Sequence, residues 1–191
     1  DKKFLILGNT NAIGYKGIFP LFKENKIWLG VSIHSGDREF RITKHQKPDG
    51  GKFRLEDKEG NIYIKIPSVR WLTNLKTAYK QPPLRMLEVY YSPEEYPKYD
   101  NYDAINVDKV ADIPCDYPGV MGVPLSFMDK YCPEQFEIVG ISGRGNNVNF
   151  KTKIYTKEDA DNYGDHNAHP VLLKGGRLKS LYTRIFIKNM Y

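Results

Sequence analysis

Cysteine is nearly absent. Only Cys115 and Cys132 occur, without C-x-x-C spacing, which argues against a disulfide framework and against a zinc site. One reads as a small core residue and the other as a surface thiol. No apolar run is long enough to cross a bilayer and no signal-peptide pattern opens the chain, so the expected compartment is cytoplasmic and no membrane partner is expected. Internal repeats and low-complexity tracts are lacking too. Asp165-His166 and His169 are the nearest thing to a metal cluster, but with Asn-Ala between and Pro170 after them they read better as a loop, and no metal is expected. An initiator Met is also missing. The chain opens Asp1-Lys2-Lys3 and runs at once into Phe4-Leu5-Ile6-Leu7, an abruptness that suggests an absent earlier part.

What is present is an ordinary globular composition. The 191 residues are 40% hydrophobic and 27% charged, with 14 tyrosines, enough for a real core and too aromatic for disorder. The net charge of +6 is compatible with a polyanionic partner. It is equally compatible with a merely solvated surface.

Phe4 to Leu7, stopped by Gly8-Asn9, has the pattern of a strand buried on both faces, as in a parallel sheet. Ile18, Leu21 and Phe22 recur at helical spacing, with Pro20 tolerable near a helix start, and Ile27 to Val31 returns to strand character. The unit has the length of one βαβ step. Next come short alternating segments, Glu39 to Thr43, Lys52 to Leu55 and Ile62 to Ile66. They are separated by Pro48-Asp49-Gly50-Gly51 and Asp57-Lys58-Glu59-Gly60, and they predict antiparallel hairpins with one wet face. Val69 to Leu72 is a further strand. Gln81-Pro82-Pro83 excludes helix and central strand and marks a boundary. Beyond it, Ser92 to Asp103 is loop-like, yet its tyrosines imply that it packs on something. Ser126 to Asp129 fits a capped helix start, Phe136 to Ile141 a strand before a Gly/Asn-rich turn, and Tyr182 to Ile187 a closing strand.

Several strings together resemble a family. Lys3-Phe4-Leu5-Ile6-Leu7-Gly8-Asn9-Thr10-Asn11-Ala12-Ile13, then Phe19-Pro20-Leu21 and Lys26-Ile27-Trp28-Leu29-Gly30, are similar to the strand and turn after the catalytic motif of EcoRI-type adenine-specific DNA methyltransferases. Val69-Arg70-Trp71-Leu72-Thr73-Asn74-Leu75 resembles that family's W-[FLY]-T-N-L string. Tyr96-Pro97-Lys98-Tyr99-Asp100-Asn101-Tyr102-Asp103-Ala104-Ile105 carries the most specific match. Ile113-Pro114, Gly119 to Pro124, Asp129 to Ile138 and Tyr182 to Ile187 extend it to nearly the whole chain.

The resemblance implies an α/β or α+β fold: the C-terminal part of a class I methyltransferase-like sheet with a hairpin insertion over residues 1–80, then a mixed α+β DNA target-recognition region over 81–191. It implies double-stranded DNA as partner and S-adenosylmethionine as cofactor of the intact protein. The product would be N6-methyladenine, made on a base flipped from the stack. The family's Asn-Pro-Pro-[Tyr/Phe] turn is not here. Gln81-Pro82-Pro83-Leu84 begins with Gln, lacks the aromatic and lies too far downstream. Ser142-Gly143-Arg144-Gly145-Asn146 has a strand-then-G-x-G shape without a following helix signal, and reads as a tight turn. The catalytic turn and cofactor loop are therefore expected before Asp1, and this chain alone is expected neither to hold the cofactor nor to transfer methyl groups. A non-enzymatic DNA-binding or specificity module derived from such an enzyme is the alternative. A blander one is a mixed α+β domain that binds protein or a small molecule.

Candidate DNA-binding or target-base residues follow. Asn9 and Asn11 stand at the carboxyl end of the first strand, where α/β sheets place ligands; the other reading is a turn held by Asn side chains. Trp71 either stacks on a flipped base or sits in the core, and Arg70 and Asn74 flank it. Arg144, Asn146, Asn147 and Asn149 suit guanine and adenine edges, or a plain surface turn. Lys174, Arg177, Lys179 and Arg184 either contact phosphate or form a solvated face. An upstream sheet strand that is missing would leave an apolar edge, predicting self-association.

Overall fold

A computed structural model describes residues 2–30, 38–43, 54–76, 89–143 and 148–191. The fold is mixed and sheet-rich, and no helix among the described residues is long and apolar enough to cross a membrane. The chain divides into two compact units, residues 1–12 with 27–76, and residues 13–26 with 77–191. The Gln81-Pro82-Pro83 boundary lies outside the described residues.

The first unit holds two three-stranded sheets. In one, β1 (Leu5–Asn9) and β2 (Trp28–Leu29) both pair antiparallel with β6 (Val69–Thr73), which lies between them. β1 and β2 thus run in the same direction, as a βαβ step requires. Their parallel pairing is interrupted by a strand from well downstream in the sequence. The expected pairing is corrected accordingly, and so is the length of β2, which spans two residues. β6 can serve both neighbours because its β-branched and aromatic residues suit a pleated surface. Gly30 continues the second pairing, its N–H donating to the Trp71 carbonyl at 2.9 Å. A Cβ there would stand 2.7 Å from the Trp71 Cβ, so only glycine fits.

β1 also departs from the expected two-faced burial. Leu5, Ile6 and Leu7 are 55, 52 and 44% exposed. Successive strand residues point to opposite faces, so neither face of β1 is covered. No strand among the described residues pairs with its outer edge.

The second sheet of this unit, in the order β3-β5-β4, is the expected antiparallel hairpin arrangement: β3 (Arg38–Ile42), β4 (Arg54–Glu56) and β5 (Ile62–Ile66). Asp57 shapes the β4–β5 turn. Its carboxylate accepts the N–H groups of Glu59 at 2.9 Å and Asn61 at 2.8 Å, and Gly60 takes the positive φ of 77° that such a turn needs.

The second unit is built on a four-stranded sheet ordered β7-β8-β12-β9. Its strands are β7 (Ile105–Asn106), β8 (Met121–Pro124), β9 (Phe136–Ile141) and β12 (Arg184–Asn189); β7 is parallel to β8 and the other pairs are antiparallel. The final strand therefore begins later than Tyr182 and lies inside the sheet. Ile185, Phe186 and Ile187 are all fully buried, which places packed material on both faces. On one face Phe186 meets Tyr99, Tyr102, Ala104 and Leu172, with Val120, Val139, Val148, Phe150 and Leu181 around them. Tyr102 and Phe150 each hold their ring centroids 4.9 Å from that of Phe186. The tyrosine-rich Ser92–Asp103 stretch thus supplies core, as its composition implied.

The short helix α1 (Phe19–Lys23) carries Pro20 in its first turn and buries Phe19 and Phe22. Lys23 donates to the Val139 carbonyl of β9 at 3.3 Å. Leu125–Asp129 is a 3-10 turn that follows Pro124 with no side-chain cap, not a capped α-helix. Pro124 holds an extended conformation, and Ser126 falls inside the turn instead of before it. A second short helix, α2 (Tyr163–Ala168), leads into the hairpin of β10 (Val171–Lys174) and β11 (Arg177–Ser180).

Candidate nucleic-acid interface

At the carboxyl end of β1 the asparagines close a turn. Asn9 Oδ1 accepts the Asn11 N–H at 2.9 Å, and Asn9 Nδ2 donates to the Pro67 carbonyl at 3.3 Å. Thr10 adds two bonds to the Ser68 carbonyl, 2.8 Å from its N–H and 3.1 Å from its hydroxyl. Asn9 is thereby occupied by backbone, and the Asn11 side chain is exposed. Asn74 is occupied as well: it accepts the Phe4 N–H and donates to the Lys2 carbonyl, both at 2.9 Å, pinning the start of β1 to the end of β6. Arg70 is buried and Trp71 half-buried. As consecutive strand residues they face opposite sides of the sheet, so they do not gather on one ligand.

Arg144, Asn146 and Asn147 lie outside the described residues. On the strand before them, Gly140 of β9 leaves room for Val148 to return, and a Cβ there would meet Val148 Cγ1 at 2.5 Å. Asn149, next along, is exposed. Gly140 is thus used for packing, and the Asn9 amide for its own backbone.

The second unit holds a buried polar framework that the sequence did not reveal. Asn101, fully buried, donates from Nδ2 to the carbonyls of His166 and His169, both at 2.9 Å, and accepts the Val171 N–H at 2.9 Å. It locks the tyrosine-rich loop to α2 and to the root of β10. His166 Nδ1 lies 2.7 Å from Ser180 Oγ, fastening α2 to β11. Tyr155 donates to Asp100 at 2.5 Å and Lys153 approaches the same carboxylate at 3.1 Å. The Tyr155 hydroxyl, then Lys153, hold Asp100 below the usual carboxylate range, against the opposing effect of burial. Burial raises Tyr102 to about 12 and pushes Tyr99 and Tyr155 up as well, so these phenols stay protonated, and Tyr99 and Tyr155 act as donors. Tyr99 donates to Asn106 Oδ1 at 2.9 Å. Arg184, one of the cations noted in the sequence, pairs with Asp108 at 3.1 Å. It serves this framework.

A cleft of about 350 Å³ opens beside it, lined by Val89, Glu95, Tyr96, Asn106, Asp108 and Asp112. Three carboxylates make it hostile to phosphate. No group of three His, Cys, Asp or Glu suited to a metal ion occurs among the described residues. Among the described residues, the β10–β11 hairpin suits a polyanion better, with Lys174, Arg177 and Lys179 all exposed.

The family model described as "Adenine-specific methyltransferase EcoRI" matches residues 1–190. This chain belongs to that family. It is 47% identical over 160 residues to the Type II methyltransferase M.EcoRI of Escherichia coli, covering 81% of this chain and 49% of that protein. It is 41% identical over 140 residues to the Type II methyltransferase M.MpnI of Mycoplasma pneumoniae, covering 72% and 44%. The Mycoplasma genitalium Type II methyltransferase M.MgeORF184P is 39% identical over 140 residues, covering 73% and 44%. The chain thus spans about half the length of the curated relatives it matches. No solved structure gives a significant match.

Proposed function

We infer that this chain is the C-terminal, DNA-recognising portion of a site-specific N6-adenine DNA methyltransferase. The observation that carries the reading is the family match along residues 1–190 by a chain that spans about half the length of the curated relatives it matches. The geometry supports it in two places. β1 and β2, parallel and flanking an antiparallel β6, have the form of one end of a mostly parallel sheet with an inserted antiparallel strand. Leu5, Ile6 and Leu7, roughly half exposed on an edge that no strand among the described residues pairs with, are fitted to receive the remainder of that sheet.

On this reading residues 1–80 complete a class I sheet and residues 81–191 form the target-recognition region. S-adenosylmethionine supplies an activated methyl group in the upstream half, where the catalytic turn also lies. The present residues hold the duplex while the target adenine is turned out of the stack. Trp71, aromatic and half-buried, is suited to stack on that base. Without the upstream half, the free β1 edge brings two copies together.

The test is methyl transfer from labelled S-adenosylmethionine to duplex DNA. The intact protein is expected to produce N6-methyladenine, and residues 1–191 alone to produce none. An intact protein that binds DNA without transferring methyl groups would make it a specificity module. One that neither binds nor methylates DNA would overturn the reading altogether.

A further inference from the structure

From His166 to Tyr191 the chain carries five Lys and Arg residues and neither Asp nor Glu. Arg184 is committed to Asp108 and Lys188 lies within the central sheet strand β12. The other three, Lys174, Arg177 and Lys179, lie on the β10–β11 hairpin, and among the described residues none of them has an ion pair.

The register sorts this hairpin into two faces. Leu172 stands opposite Lys179, Leu173 opposite Leu178, and Lys174 opposite Arg177. Opposed residues share a face, and faces alternate along a strand. Lys174, Arg177 and Lys179 therefore project from one side, and Leu173 and Leu178 from the other. The cationic side is firmly rooted, because Leu172 at its base belongs to the Phe186 core and Asn101 holds the Val171 N–H. The far end is free. Gly175 and Gly176 turn at φ 56° and 75°, and a Cβ at either would meet nothing within 4 Å.

We propose that this ribbon enters the major groove of duplex DNA, with Lys174, Arg177 and Lys179 on the phosphates that line it. The proposal rests on the reading of the chain as a DNA methyltransferase portion and names the element that grips the duplex. Size agrees with it. Three residues beyond the buried Leu172 reach about 10 Å at strand rise, against a groove about 8.5 Å deep and about 12 Å wide that admits a two-stranded ribbon. The charge from His166 to Tyr191 is of one sign. A rigid root with a free tip lets the protein engage phosphate without ordering a flexible loop, which would otherwise weaken binding.

The test measures binding of the intact protein to a random-sequence duplex between about 50 and 300 mM KCl, the range over which phosphate attraction is screened. Removing one cation from its phosphate flattens the slope of log K against log salt by about 0.9 and weakens binding about tenfold near 0.1 M salt. Lys174→Gln, Arg177→Gln and Lys179→Gln are each expected to do so, and the triple variant to flatten the slope by about 2.7. Lys130→Gln, an equal charge change elsewhere in the unit at an exposed lysine, is expected to leave the slope unchanged. An unchanged slope in the triple variant, with normal binding by the parent, overturns the ribbon proposal alone. An equal loss in Lys130→Gln also overturns it, since attraction would then be general. Failure of the parent protein to bind duplex DNA instead removes the functional reading beneath it.

Discussion

Asn101→Ala should be the most damaging small substitution in the second unit. The wild-type side chain is fully buried and makes three bonds of 2.9 Å. Truncation strands the Val171 N–H in a site where Val171 itself is 0% exposed, costing about 1–3 kcal/mol. The two lost bonds to the His166 and His169 carbonyls add roughly 1 kcal/mol each. The expected loss is about 3–5 kcal/mol, a fall in Tm of roughly 6–20 °C for a protein of this size. The readout must be chosen with care, because Trp28 and Trp71 both lie in the first unit. Tryptophan fluorescence would miss a local loss. Urea unfolding followed by near-ultraviolet tyrosine dichroism, with hydrogen exchange at the Val171 amide, reads the right place. Asn101→Asp sharpens the test: it keeps an acceptor for Val171 and turns a carboxylate toward two carbonyl oxygens. The pKa of the new carboxyl group in the folded state should then be raised. Its extra penalty is absent below about pH 4, where both states are protonated, and grows as pH rises toward the raised folded pKa. A loss under about 1 kcal/mol in Asn101→Ala, with unchanged urea dependence, would refute the reasoning.

Asp100→Asn should flatten the acid limb of stability. The lowered folded pKa of Asp100 stabilises the protein above about pH 4 and is lost as pH falls through the folded pKa, and a pH series of urea midpoints checks it. Gly122→Ala should cost about 1–3 kcal/mol, seen by thermal denaturation, because the Tyr99 ring and hydroxyl fill the space over Gly122 and are held there by Asn106. Gly176→Ala should cost only about 1 kcal/mol, from the positive φ of 75° alone, and leave the rest of the second unit unchanged by hydrogen exchange. Ile6→Lys, at a residue 52% exposed on β1, should lower self-association of residues 1–191 in sedimentation velocity without lowering their stability, since an edge lysine blocks strand addition.

Legibility follows the range of the interactions. β9 can be read to the residue because its alternation and its bounding Gly/Asn turn are local. The β3–β5–β4 hairpins are readable for the same reason, with Asp57 and Gly60 marking the turn. The closing strand is visible in the sequence, but its place inside the sheet is not, because that depends on β8 and β9 arriving from well upstream. Asn101 gives no sign at all. A buried amide that joins loop, helix and hairpin has no periodicity, and only the folded chain shows what it holds. Among the candidate site residues, Asn9 and Asn74 stand out as amides at a sheet end, a signal that cannot tell a ligand contact from a backbone clamp. The structure shows the clamp.

β1 is the informative disagreement. Its run of apolar residues is the pattern of a strand covered on both faces, and the structure leaves Leu5, Ile6 and Leu7 about half exposed, with one edge unpaired among the described residues. At about 25 cal/mol per Å², three such side chains leave several kcal/mol of burial unrealised, a large fraction of a domain's net stability. A pattern this costly to leave in water is intelligible if a neighbour covers it. β6 is an antiparallel neighbour that occupies the inner edge, so the outer edge is the one left to bind it. The curated relatives are matched over only 49% and 44% of their own length, so on the proposed reading a strand from the same polypeptide is the simplest occupant, and self-pairing the substitute when that strand is withheld. The two are separable: on the proposed reading the intact protein should lack the self-association that Ile6→Lys relieves, and persistence of the dimer in the intact protein would assign the edge to a second copy instead.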